Sequence, residues 1–243
     1  MEAINKIPQL SKVLAFISKN SIEKFYSIIF SSSYIKLTSA NAPKLYHFYE
    51  EAAEAFGLDQ LPEIYLRRGY QYKTDVVGID NPMILINTSV LEDIPEEMLR
   101  VFLASDIAGI KAGHNKMNFI RLLCDNFADS LPIPKQVLTV PLLMWSKQKY
   151  YSYDRARMMY SHDKDMVLRL IGYGEAPPDI MERVTPDERI QQGMEFLEID
   201  GVQSIAKSIL TMSEAKPWNS MRVIEFNNWI ESGMYKIGLE ERI

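Results

Sequence analysis

Cys124 is the only cysteine in the chain. A single thiol closes no intrachain disulfide and builds no cysteine-based metal site, and it fits a reducing compartment such as the cytoplasm. Long apolar runs are also missing. No stretch approaches the roughly 18 consecutive apolar residues that a membrane span requires. Lys12 interrupts the apolar stretch from Ile7 to Ile17, and no small-residue cleavage site follows, so no signal peptide is expected. Positive charge is not in excess: the formal net charge is −5, with basic residues scattered among acidic ones, which argues against nucleic acid as a partner. The chain has no G-x-S-x-G elbow, no phosphate-binding P-loop and no G-x-G-x-x-G fingerprint, so serine hydrolase and nucleotide-binding readings find no support. Gly172-Tyr173-Gly174 reads only as a loop. Internal repeats and low-complexity segments are absent.

What is present is a chain of 243 residues, 47% of them hydrophobic, enough to bury a substantial core. Helical spacing of Ile4, Ile7, Leu10, Leu14 and Ile17, then of Ile22, Phe25, Tyr26, Ile29 and Phe30, predicts one or two helices over 4–31. Their apolar face either packs on the domain or touches a membrane or partner. A strand is expected at 34–38. A helix with Pro43 in its first turn and Gly57 as its stop follows, with Leu45, Phe48, Tyr49, Ala52, Ala53 and Phe56 on one face. His47 lies off that stripe and reads as a surface residue. Strands are expected at 62–68, then, after a polar loop, at 76–80 and 83–87, the last two separated by Asn81-Pro82 and forming a hairpin or meander. The remainder reads as helical: from about 96 to 112, then 116–145 with a break at Leu131 to Pro134, and later 187–197, 202–213 and 219–231. The class is α+β, predominantly helical, with a small antiparallel or mixed sheet. The expected organisation is an N-terminal helical extension over 1–37, one domain over 38–237 and a tail over 238–243.

Two motifs carry chemical information. The first is Ser105-Asp106-Ile107-Ala108-Gly109-Ile110-Lys111-Ala112-Gly113-His114; the second runs from Trp145 through Tyr150 to Asp154-Arg155-Ala156. Together with Asn41-Ala-Pro-Lys-Leu-Tyr46, Leu61-Pro-Glu-Ile-Tyr-Leu66, Met83-Ile-Leu-Ile-Asn-Thr-Ser-Val-Leu91, Lys216-Pro217 with Arg222, and Trp229-Ile-Glu-Ser-Gly-Met-Tyr235, they resemble the HtpX-like and CAAX-prenyl-protease-type zinc metallopeptidases, a gluzincin family. The resemblance covers about residues 38–237 and implies a gluzincin-type fold whose sheet lies beside the zinc helix.

In that family a His-Glu-x-x-His helix presents two histidines to zinc on one face, and the glutamate acts as general base on the metal-bound water. Ser105, Asp106 and Gly109 stand at those positions here, Tyr150 at that of the third ligand, and Lys216 where relatives have a histidine. Serine is a poor zinc ligand at neutral pH, glycine offers no donor, and without a metal, water is far too weak an acid to supply hydroxide at neutral pH. The resemblance therefore implies a degenerate member with vestigial catalytic positions and no cofactor. His114, Asp154, Arg155 and Arg222 are family positions that this chain retains. His114 follows the ligand positions, and its expected role is charge complementarity at a helix C-terminus. In relatives the Asp154 position orients a zinc-bound histidine; here it needs another partner, Arg155 or Arg222.

The resemblance also implies a substrate-binding edge strand at 83–87, which would make Ile84 and Ile86 groove residues for an extended peptide; the alternative is an ordinary sheet strand. Ser105 and Gly109 either line an emptied cleft or let a neighbouring element approach and fill it. The function expected is that of a pseudopeptidase acting as a protein- or peptide-binding scaffold or regulator, in the cytoplasm or at the periphery of a membrane. Two alternatives stand beside it: an active zinc endopeptidase with a metal site rearranged around Asp106, His114, Asp154 and His162, and a peripheral membrane protein anchored by 4–31 and the apolar run 137–145.

Overall fold

The computed structural model describes residues 22–126, 135–200, 203, 211 and 214–236. Of the expected helix over 202–213 only 203 and 211 are described, and the first part of the expected 4–31 helices, the expected break at Leu131 to Pro134 and the expected tail over 238–243 lie outside the described residues. The chain divides into two compact units, one of residues up to 93 together with 106–142, the other of 94–105 together with the chain from 143 onward.

The first unit carries a four-stranded mixed sheet. Helix α1 (Ile22–Ser33) leads into β1 (Ile35–Leu37), α2 (Pro43–Phe56), β2 (Glu63–Arg67), β3 (Thr74–Val77), β4 (Met83–Asn87) and the short α3 (Thr88–Asp93). The strand order is β1-β2-β4-β3, with β2 and β4 parallel and the other two pairs antiparallel. Residues 35–37, which the expected N-terminal extension contains, thus form a strand of the sheet. Helix α2 ends as its sequence dictates. Gly57 takes the left-handed conformation (φ 65°), and the amides of Gly57 and Leu58 close onto Glu54 and Ala53. Its face of Leu45, Phe48, Tyr49, Ala52 and Ala53 is buried. On α1, Tyr26 and Phe30 are buried, with Tyr26 edge-on to Phe119 and Phe30 edge-on to Tyr65, whereas Phe25 and Ile28 are exposed.

The position of β4 corrects the expectation of a peptide-binding edge at Ile84 and Ile86. This strand is flanked on both sides, by β2 and by β3, so its backbone groups face neighbouring strands rather than an incoming peptide. All five residues are buried, and Ile84 and Ile86 are both at 0% exposure. The unalternating run Met-Ile-Leu-Ile is what a strand covered on both faces requires, whereas a one-sided edge strand alternates apolar and polar residues.

Helix α4 (Glu96–Lys111) has acidic residues in its first turn and Lys111 in its last, matching the helix dipole. Gly113 (φ 78°) ends it, and His114 opens α5 (His114–Asn126). His114 is therefore at the start of a helix, not at the end of one, and the expected C-terminal charge role does not apply. A 27-residue helix, α6 (Lys135–Ser161), runs through Pro141. The run 137–145 and the segment 150–159, expected as separate features, are parts of this one helix.

The second unit is helical. It includes α7 (Lys164–Leu170), α8 (Pro178–Arg183), α9 (Pro186–Leu197) and α10 (Asn219–Glu231). Asp163 caps α7 by accepting from the Met166 amide at 2.9 Å. Thr185 and Glu188 form a reciprocal capping box at the start of α9. Met158, Val167, Leu168, Ile171, Val223 and Phe226 make a shared apolar core. Gly193 allows α9 to approach α10, because a Cβ there would come within 2.8 Å of Ile224. Among the described residues, no helix is long and apolar enough to cross a membrane.

Candidate functional site

Of the positions that the resemblance singles out, Asp106, Gly109 and His114 fall in the first unit, and Ser105, Tyr150, Asp154, Arg155, Lys216 and Arg222 in the second. In the first unit Asp106, at the position of the expected general base, is 1% exposed. Tyr49 of α2 donates its hydroxyl to one carboxylate oxygen at 3.0 Å, and Thr74 of β3 donates to the other at 2.6 Å. Both acceptor oxygens of the carboxylate are therefore engaged by side chains of its own unit. Burial pushes the Tyr49 hydroxyl well above its ordinary pKa, and the adjacent Asp106 charge pushes it the same way, so Tyr49 stays a proton donor. Gly109 is also buried. Ser105, which falls in the second unit, is buried as well, and its hydroxyl donates to the Phe102 carbonyl one turn back at 2.6 Å. This intrahelical bond satisfies the serine locally.

In the second unit Asp154 and Arg222 form the centre of a buried ionic network. Arg222 donates through Nε at 2.9 Å and through Nη2 at 2.6 Å, one bond to each carboxylate oxygen. Arg157 adds a third bond at 3.3 Å. Exposure is 1% for Asp154, 4% for Arg222 and 5% for Arg157. Burial alone would lower the Arg222 pKa, but the charge and hydrogen bonds of Asp154 outweigh it and hold the guanidinium protonated. Of the two partners expected for Asp154, Arg222 is the one used. Arg155 instead pairs with Glu225 at 2.7 Å.

Tyr150, which the resemblance aligns with a third ligand, is a π-surface between two cations. The Arg222 guanidinium lies 5.4 Å from its ring centre and the Lys149 ammonium 4.9 Å. Lys149 is also within 5.5 Å of the Trp145 ring and 5.8 Å of the Tyr153 ring. Lys216 approaches Glu175 at 3.3 Å, and Asn219 donates to the same carboxylate oxygen at 3.1 Å. Burial pushes Glu175 up, but the bond from Asn219 and the charges of Lys216 and Arg222 prevail and hold it below the usual carboxylate range. Between Asp154, Arg222 and their neighbours Tyr151, Arg155, Glu225 and Phe226 there is only a crease too tight to admit a water molecule.

The structure thus brings Tyr150, Asp154 and Arg222 together, with Lys216 linked through Glu175. Asp106, Gly109 and His114 belong to the other unit. Among the described residues, no group of three or more histidine, cysteine, aspartate or glutamate side chains is placed to hold a metal ion.

Sequence reasoning missed Arg157, Tyr49 and Thr74. The i, i+3 spacing of Asp154 and Arg157 on one helix was the available signal for the first. Nothing local pointed to the other two, because they lie 57 and 32 residues from Asp106 in the chain.

No protein-family model, curated protein or solved structure matches this chain.

Proposed function

We propose that this chain is a catalytically inactive relative of the HtpX-like metallopeptidases, a pseudopeptidase of gluzincin type that acts in the cytoplasm by binding a protein or peptide. The observation that supports this reading is the state of Asp106. A general base must present a free lone pair to water or substrate within about 2.6–3.2 Å. Asp106 is 1% exposed, so neither bulk water nor a substrate reaches it, and Tyr49 and Thr74 each hold one of its oxygens. The ligand positions have equally moved to other work: Ser105 bonds within its helix, Gly109 has no donor, and Tyr150 contacts Arg222 and Lys149 through its ring. Residues that in relatives serve chemistry here serve packing and charge pairing, which leaves binding as the role open to the fold.

The test is the metal content of the purified full chain by mass spectrometry, before and after stripping and zinc add-back, with cleavage of an unfolded protein followed in parallel. The expected result is far less than one zinc per chain and no chelator-sensitive cleavage. About one tightly held zinc per chain, with cleavage abolished by chelator, would overturn the reading.

A further inference from the structure

The connection from β2 to β3, residues 68–73, is held by a large share of the unit's buried polar side chains. Asn87, 3% exposed, donates from Nδ2 to the Gln71 carbonyl at 2.9 Å and accepts from Arg67 Nε at 2.7 Å, while its backbone amide bonds the Lys73 carbonyl at 3.3 Å. Ser89, 5% exposed, donates its hydroxyl to the same Gln71 carbonyl at 2.9 Å and its amide to the Gly69 carbonyl at 3.2 Å. Tyr72 donates to Asp93. Gly69 passes so close to Asn87 that a Cβ would come within 2.7 Å of Asn87 Cγ, so only glycine fits there without a shift.

Burying polar side chains costs stability unless each is satisfied. Here they are satisfied by the loop backbone, and the result is a fixed loop. At its tip stand Arg68, exposed, and Tyr70, 84% exposed, the most exposed large apolar side chain among the described residues. Neither makes a hydrogen bond or ion pair among the described residues. Arg67 and Lys73 are both drawn to Asp75, at 2.9 and 3.1 Å, which leaves the Arg68 charge uncompensated. Arg67, Arg68 and Lys73 stand against Asp75 and against Asp93, which Tyr72 brings to the loop, so one positive charge is left over in a chain of net charge −5.

A rigid aromatic beside an unpaired guanidinium is the composition of an interface hot spot. Tyr and Arg dominate such sites, tyrosine loses little conformational freedom on binding, and a loop ordered in advance does not have to be ordered by the partner. We propose that the loop over 68–73 is a preformed docking site for an acidic peptide segment of a partner protein, with Arg68 pairing the carboxylate and Tyr70 covering the adjacent side chain. The positive surplus selects acidic partners and repels basic ones. This rests on the reading of the chain as a protein-binding molecule, and it supplies a surface in place of the buried β4.

The experiment selects a random peptide library displayed on phage against the immobilised full chain. Enriched peptides are then synthesised with a fluorophore and titrated by anisotropy against wild type, Arg68→Glu, Tyr70→Ala and Gln71→Ala. Enriched peptides should carry Asp or Glu and lose about tenfold or more in affinity with Arg68→Glu and with Tyr70→Ala. They should bind more weakly as salt rises, and should bind the Gln71→Ala chain as they bind wild type. Melting temperatures equal to wild type for all three variants confirm that the loss is local, since none of these side chains supports the fold. No enrichment, peptides indifferent to Arg68 and Tyr70, or loop-dependent binding of a single-stranded oligonucleotide instead would each overturn the proposal. Peptides captured elsewhere on the chain would remove this site and leave the pseudopeptidase reading intact, whereas zinc-dependent cleavage would remove that reading whatever the loop binds.

Discussion

Arg222 holds Asp154 side-on, with Nε on one carboxylate oxygen at 2.9 Å and Nη2 on the other at 2.6 Å, and both residues are almost wholly buried. A pair removed from water in this way survives only while both charges are present, because the loss of one strands the other in a medium that cannot solvate it. Arg222→Ala is therefore expected to lower the unfolding free energy by roughly 3–5 kcal/mol. Arg222→Lys should retain part of the stability, since lysine supplies the charge but not the planar fork. Asp154→Ala should be at least as damaging as Arg222→Ala, because it leaves the buried guanidiniums of Arg222 and Arg157 facing one another without their anion. Urea unfolding followed by circular dichroism measures all three. An Arg222→Ala chain within about 1 kcal/mol of wild type would show that the network contributes little.

Two tyrosines give this protein an alkaline limit. Tyr65 is pushed up to about 12, first by burial and then by its bond to Glu63, and Tyr49 is raised by burial and by Asp106. In the unfolded chain both ionise near 10. A raised folded pKa means that the native state keeps a proton which the unfolded state has already lost. The contribution is therefore fully present below pH ~10 and is lost as pH rises, for Tyr65 between about 10 and 12. Tyr65→Phe should flatten the fall of melting temperature across that window, and Tyr49→Phe should act in the same direction. At neutral pH Tyr49→Phe has a separate cost of about 1–3 kcal/mol, since it leaves one oxygen of the buried Asp106 without its donor. Melting curves from pH 7 to 12 for wild type and both variants decide it; curves parallel to wild type above pH 10 would contradict the assignment.

How much of this could be read beforehand depends on the range of the interaction. Helix α2 was legible from end to end, because Pro43 and Gly57 act within one turn and the burial of Leu45, Tyr49 and Ala52 follows from a 3.6-residue period. The α+β class was legible for the same local reason, as was the pairing around Asn81-Pro82, which reads from the sequence as a hairpin or meander, although β3 begins and ends earlier, at Thr74–Val77, than the expected 76–80. Arg222 was legible as one of two possible partners for Asp154, and geometry was needed to choose it over Arg155. The seat of Asp106 was not legible: Tyr49 and Thr74 meet it only through tertiary folding. For Ile84 and Ile86 the resemblance implies a binding edge, with an ordinary sheet strand as the alternative; the strand is interior, as their unbroken apolar run requires. The residues between the expected strands 62–68 and 76–80 read only as a polar loop, since what fixes them is the side chains of Asn87 and Ser89 in a later strand and helix.

With β4 inside the sheet, the edges are β1 and β3, and the fold closes the longer of them. Lys73 and Asn87 form a hydrogen-bonded pair, so the alternation of an antiparallel ladder turns the carbonyl of Val76 away from β4. Asn118 of α5 donates to that carbonyl at 2.8 Å, and Asn115, one turn earlier on the same helix, donates to the carbonyl of Gly78 at 2.9 Å. Two asparagines three residues apart on a helix thus cap two carbonyls two residues apart on a strand edge. The short β1 offers only three residues for pairing. Asn118→Ala and Asn115→Ala should each destabilise by about 1–3 kcal/mol, the cost of a buried acceptor left unmet. The double variant should also self-associate as concentration rises, because the uncovered edge becomes a template for another strand. Size-exclusion chromatography over a concentration series, beside urea unfolding, separates the two effects. Loss of stability without association would mean that the helix still covers the edge by bulk alone, whereas association of the double variant at wild-type stability would mean that the asparagines serve to protect the edge and not to hold the fold.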